Sequence, residues 1–88
     1  MSHTPTSFDI AADLIRCIHA SYSDKGFKDE NVAAFLTHAQ RDLRRVKKSI
    51  PAHTRTIIET RLKKSTNTRL SPYKRREDML TAAVLLAS

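Results

Sequence analysis

The chain has 88 residues, a length that buries only about 60–65% of its unfolded surface and so supports one small domain over residues 1–88. Its 40% apolar residues, single Gly, three Pro, one Cys and absence of Trp exclude collagen-like and low-complexity chains, an intrachain disulfide, and any glycine-rich phosphate loop. The net charge of +7 is local, because thirteen of the sixteen Lys and Arg lie from Arg41 to Arg76, where the only acids are Asp42 and Glu59.

Apolar residues recur at three- and four-residue steps and never alternate for long, so the expected fold is all-α, a compact bundle of about four helices. A first helix is expected near 7–23, capped by Ser7, with Phe8, Ala11, Leu14, Ile15, Ile18 and Tyr22 on its inner face. Gly26, the only glycine, is expected near its C-terminal cap. A second helix near 29–49 follows from a cap at Asp29 and a stripe of Val32, Phe35, Leu36, Ala39, Leu43, Val46 and Ile50. Pro51 pushes Ile50 out of helical geometry and should open a third helix near 51–64, whose apolar content (Ile57, Ile58, Leu62) is thin. Ser71-Pro72 has the form of a cap followed by proline at the first position, opening a fourth helix near 71–87.

Met79 to Ser88 contains no charge, and its apolar side chains spread round most of the helix. Central packing is the plain expectation for such a helix. Self-association through Leu80, Val84, Leu85 and Leu86, giving a homodimer, is the other.

The basic stretch has two parts. Arg41, Arg44, Arg45, Lys47 and Lys48 lie on the second helix away from its apolar stripe, without acids at the spacing that would neutralise them. Arg55, Arg61, Lys63, Lys64, Arg69, Lys74, Arg75 and Arg76 surround the connection between the third and fourth helices. Thr54, Thr56, Thr60, Ser65, Thr66, Asn67 and Thr68 stand between the bases and could donate to phosphate oxygens. Arg61 falls beside the Ile57/Ile58 side, where a cation either lays its stem on the core or pairs with a carboxylate.

No catalytic constellation stands out. Cys17 reads as a small buried hydrophobe, and His3, His19, His38 and His53 lack the close spacings of a zinc site. We therefore expect neither an enzyme nor a resident metal, cofactor or small-molecule substrate. Met1–Thr6 lacks the regions of a signal peptide, and no apolar run approaches a membrane span, so a cytoplasmic location without membrane contact is expected. The expected function is nucleic-acid binding in an accessory or regulatory role, of the kind found in bacteria and their mobile elements, by phosphate contacts from residues 41–76. The alternative is an adaptor or inhibitor docking the same basic face on an acidic or nucleic-acid-binding surface of a larger protein. DNA, RNA and protein targets are not separable at this level, and a helix-turn-helix is not indicated, since no short glycine-containing turn joins two of the helices.

Overall fold

The computed structural model describes residues 6–88, without the side chain of Lys47; the readings made on His3 and on the Met1–Pro5 segment lie outside the described residues. Four α-helices run in chain order: α1 Ser7–Ala20, α2 Glu30–Val46, α3 Ala52–Ser65 and α4 Pro72–Ala87. Short 3-10 turns at Gly26–Lys28 and Lys47–Ser49 precede and follow α2. No strand occurs among the described residues, and no helix is long and apolar enough to cross a membrane.

Each helix start has a local cause. Thr6, not Ser7, caps α1: its hydroxyl accepts from the Asp9 amide at 3.3 Å while the Asp9 carboxylate accepts the Thr6 amide at 2.8 Å. This reciprocal box satisfies two amides that a helix start leaves without partners. α1 ends at Ala20, earlier than expected, and the chain turns through Gly26 at φ +58°, where a side chain would be strained. Asp29 then serves α2 as expected, accepting the Asn31 amide at 2.8 Å and the Ser23 hydroxyl at 2.7 Å. Those bonds, the Ser23 hydroxyl first, hold its carboxyl below the ordinary value of 3.8.

Pro51 is the N-cap residue of α3 rather than its first helical position, with ψ 139°. Ser71 caps α4, accepting the Lys74 amide at 3.2 Å, and Pro72 takes the first position. There the missing proline N–H costs nothing.

All four helices feed one core. Ile10, Leu14 and Cys17 from α1 meet Leu36, Ala39 and Leu43 from α2, Ile58 and Leu62 from α3, and Met79, Ala82, Ala83 and Leu86 from α4. Each fully buried Leu or Ile contributes about 1.5–3 kcal/mol of transfer free energy, which sets how little such a chain can spare. Helix α1 packs on α2 and α4, and α3 packs on α4. α1 and α4 run antiparallel: Ser7 lies by Leu85, Leu86 and Ser88, while His19 and Tyr22 lie by Tyr73 and Arg76.

The molecule measures 36 × 32 × 17 Å. α1 and α4 form the central pair, α2 rests on α1 and α3 on α4, and a groove lies between α2 and α3.

The inner face of α1 departs from expectation. Its buried stripe is Ile10, Ala11, Leu14 and Cys17, while Phe8 and Tyr22 are 64% and 68% exposed. Ile15 and Ile18 pack on the core from its edge, while Phe8 in the first turn and Tyr22 beyond the last helical residue stand clear of it.

Candidate nucleic-acid interface

Twelve of the thirteen bases of residues 41–76, all but Lys47, separate into three groups by what surrounds them. The first group faces water. Arg41, Arg44, Arg45 and Lys48 are exposed on and just beyond α2, and Lys63 and Lys64 are exposed at the end of α3. Of these six only Arg41 has a carboxylate within ion-pair reach among the described residues, the adjacent Asp42 at 3.7 Å. Exposed pairs of that kind contribute little, so the charge of Arg41 is barely neutralised.

The two sequence clusters meet in the groove between α2 and α3. Gln40, Leu43 and Arg44 form one wall, and Glu59, Leu62, Lys63 and Thr66 form the other. The reason is helical phase. Leu43 and Leu62 point into the core, and the residue that follows each, Arg44 and Lys63, is turned by about 100° to the rim. The groove is thus an apolar floor with a cation on each lip and one acid, Glu59, on the α3 side.

The second group is consumed inside the fold, which corrects the expectation that all thirteen bases face a partner. Arg61 Nη1 bonds Asp78 Oδ1 at 2.9 Å, and the Asp78 side chain is fully buried. The pair joins α3 to α4 through one nitrogen, and Asp78 Oδ2 has no hydrogen-bond partner. Of the two outcomes expected for Arg61, the carboxylate pair is the one formed.

Arg75 Nε donates to the Ser65 carbonyl at 2.8 Å, closing the C-terminus of α3, and its guanidinium stacks 4.0 Å from the Phe27 ring centre. Burial lowers its pKa from the ordinary 12.5, which leaves it cationic at neutral pH.

Arg76 donates from Nε to Ser21 Oγ at 2.8 Å and from Nη2 to the Ser21 carbonyl at 3.0 Å, with its Cζ 3.9 Å from the Tyr22 ring centre. The start of α4 therefore clamps the ends of α1 and α3. A guanidinium serves here because its planar fork bonds and stacks at once.

The third group lies between these extremes. Arg69 is exposed in the connection before α4, Lys74 lies 3.8 Å from Glu77, and Arg55 is half-buried near the start of α3. The side chain of Lys47 is not described.

The hydroxyls do less than expected. Thr56, Thr60 and Thr66 donate back to helix carbonyls of Ala52, Thr56 and Lys63 at 2.7–3.0 Å, and Ser65 donates to Leu62 at 2.6 Å. Each would have to surrender that bond to donate to a phosphate.

Cys17 is fully buried, with its thiol 3.6 Å from the Val32 carbonyl. Burial first, and then the Asp13 charge, push it up to about 12. No group of three or more His, Cys, Asp or Glu side chains that could hold a metal occurs among the described residues.

Of the side chains expected at a self-association face, Leu86 is buried in the core and Leu85 packs against it from the edge. Leu80 and Val84 are exposed, at 49% and 58%. Tyr73, 74% exposed on α4, Phe8 on α1 and Tyr22 just beyond it were not singled out for this role, though the seven-residue step from Tyr73 to Leu80 was a readable signal.

Comparison with protein families, curated proteins and solved structures gave no match. The geometry of the chain is therefore the whole basis for reading its function.

Proposed function

We propose that the protein binds nucleic acid through its α2/α3 face, by sequence-independent phosphate contacts in an accessory or regulatory role. The observation that carries this reading is the groove itself. Arg44 and Lys63 stand on its opposite lips, with Arg41 and Arg45 exposed on α2, Lys64 on α3 and Lys48 in the turn that follows α2. Cations in this number self-repel and contribute nothing to the core, so the fold tolerates them without needing them. A polyanion gains from them by releasing its condensed counterions.

The competing reading, an acidic protein surface as target, calls for exposed apolar anchors beside the charges. On the α2/α3 face the apolar residues, Leu43 and Leu62, are only 6% and 3% exposed. The groove favours the polyanion.

The test is binding of a labelled duplex of about 20 base pairs, and of structured RNA of similar length, across a salt series. With three or four phosphates engaged on duplex DNA, the log-log slope should be about −3 to −4. Replacing Arg44 and Lys63 together by Ala should flatten that slope by about 2 with helicity unchanged. No binding at low salt, or binding indifferent to salt, would refute the proposal.

A further inference from the structure

The outer side of the α1/α4 pair is a feature that nucleic-acid binding leaves unused. The exposed large apolar side chains among the described residues are Phe8 on α1, Tyr22 just beyond its end, and Tyr73, Leu80 and Val84 on α4, with Ile15 half-buried between Phe8 and Tyr22. The helices are antiparallel, so the two rows lie side by side along their length. Ile15, Tyr22, Tyr73 and Leu80 line one shallow channel between them.

We infer that two copies of this chain meet through this face, each contributing α1 and α4 to an intermolecular four-helix bundle. Phase is the first argument. On α4 Tyr73, Leu80 and Val84 share one side, roughly 130° from the buried Met79, Ala82, Ala83 and Leu86, and the seven-residue step from Tyr73 to Leu80 is the repeat by which helices interlock side chains with a facing helix. A helix serving one monomer core needs no second row.

Charge chooses the occupant. The charged residues lining the channel are Arg76 and Glu77, adjacent and opposite in sign, and Arg76 is already stacked on Tyr22. The face is thus close to neutral on a chain of net charge +7. Two such chains repel wherever their cationic surfaces meet and can approach closely here. A symmetric pair also places the same neutral patch on itself.

Area sets the strength. Helices of 14 and 16 residues, at 1.5 Å per residue and about 10 Å across, present a face of roughly 400–500 Å². Two such faces bury about 800–1,000 Å² in total, in the range of weak, transient interfaces, so association no tighter than micromolar is expected.

Mass measured by sedimentation equilibrium after nuclease treatment, at high salt and over a concentration series, tests the inference independently of nucleic-acid binding. The expected result is a rise from 10.0 kDa toward twice that value by about 100 μM. High salt should leave this apolar contact intact, while a pair bridged by residual nucleic acid should separate.

Leu80→Glu and Tyr73→Glu alter exposed side chains, so each should keep wild-type helicity and stay at 10.0 kDa. Two variants guard against loss of fold in either one. A wild-type mass of 10.0 kDa at every concentration, or a dimer that persists in both folded variants, overturns the inference.

Discussion

Arg44 and Arg61 are the same residue type on helices of similar composition, yet one stands at a groove lip and the other is tied to a buried carboxylate. The difference lies in partners far away in sequence: Asp78 is seventeen residues from Arg61, and Ser21 is fifty-five from Arg76. Such pairings decide which bases remain available, and nothing in local spacing encodes them. Arg61→Ala leaves the Asp78 charge buried without a partner. Because Arg61 keeps a third of its side chain in water, the cost should fall at the low end for broken buried pairs, about 3 kcal/mol. Urea unfolding should show this loss, while the salt slope of binding by the folded variant stays unchanged. Cys17 gives a second expectation. Its folded value near 12 exceeds the ordinary 9.0, so it favours the native state fully below pH 9 and loses that contribution as pH rises toward 12. Cys17→Ala should flatten the alkaline limb of stability against pH, and the native thiol should resist alkylation at neutral pH.

At the scale of elements, legibility followed the width of the apolar stripe. α2 carries one stripe, and Val32, Leu36, Ala39 and Leu43 are buried as its spacing predicts. α1 carries a broader apolar arc, and sequence alone merged Phe8 and Tyr22 with the core because both continue its spacing, although Tyr22 lies beyond the last helical residue. Only the packing of α2 and α4 on the Ile10/Leu14/Cys17 side decides how much of that arc is covered. The caps at Asp29 and Ser71 were readable because a short polar side chain before an amide-rich turn acts within three residues. The 3-10 turn at Lys47–Ser49 was not, since Pro51 restricts only the residue before it. The groove was unreadable for a related reason: the link at Pro51 leaves the angle between α2 and α3 open, and that angle is set by the packing of α2 on α1 and of α3 on α4. Asp29 offers a test at this scale. Its carboxyl lies below its ordinary 3.8 in the fold, so its contribution is fully present above that value and disappears as pH falls through the lowered one. Asp29→Asn should remove this part of the acid dependence, measurable as a flatter midpoint-against-pH curve in thermal unfolding.

For the whole molecule, the two faces differ in chemistry. The α2/α3 side presents cations, and the outer side of the α1/α4 pair presents a largely apolar surface whose channel is lined by one charge of each sign, Arg76 and Glu77. A pair formed through α1 and α4 therefore directs its two cationic grooves outward and away from each other. One short duplex cannot reach both, so a dimer should join two nucleic-acid segments rather than grip one more tightly. The expected result is capture of a fluorescent duplex by a second, surface-immobilised duplex when the wild-type protein is present. Leu80→Glu should abolish that capture while leaving affinity for a single duplex unchanged, because Leu80 lies outside the groove. Arg44→Ala with Lys63→Ala should weaken both readouts in parallel, and raised salt should do the same through counterion competition. Capture that survives Leu80→Glu would mean that one copy engages two segments, and the α1/α4 face would then have no part in joining them.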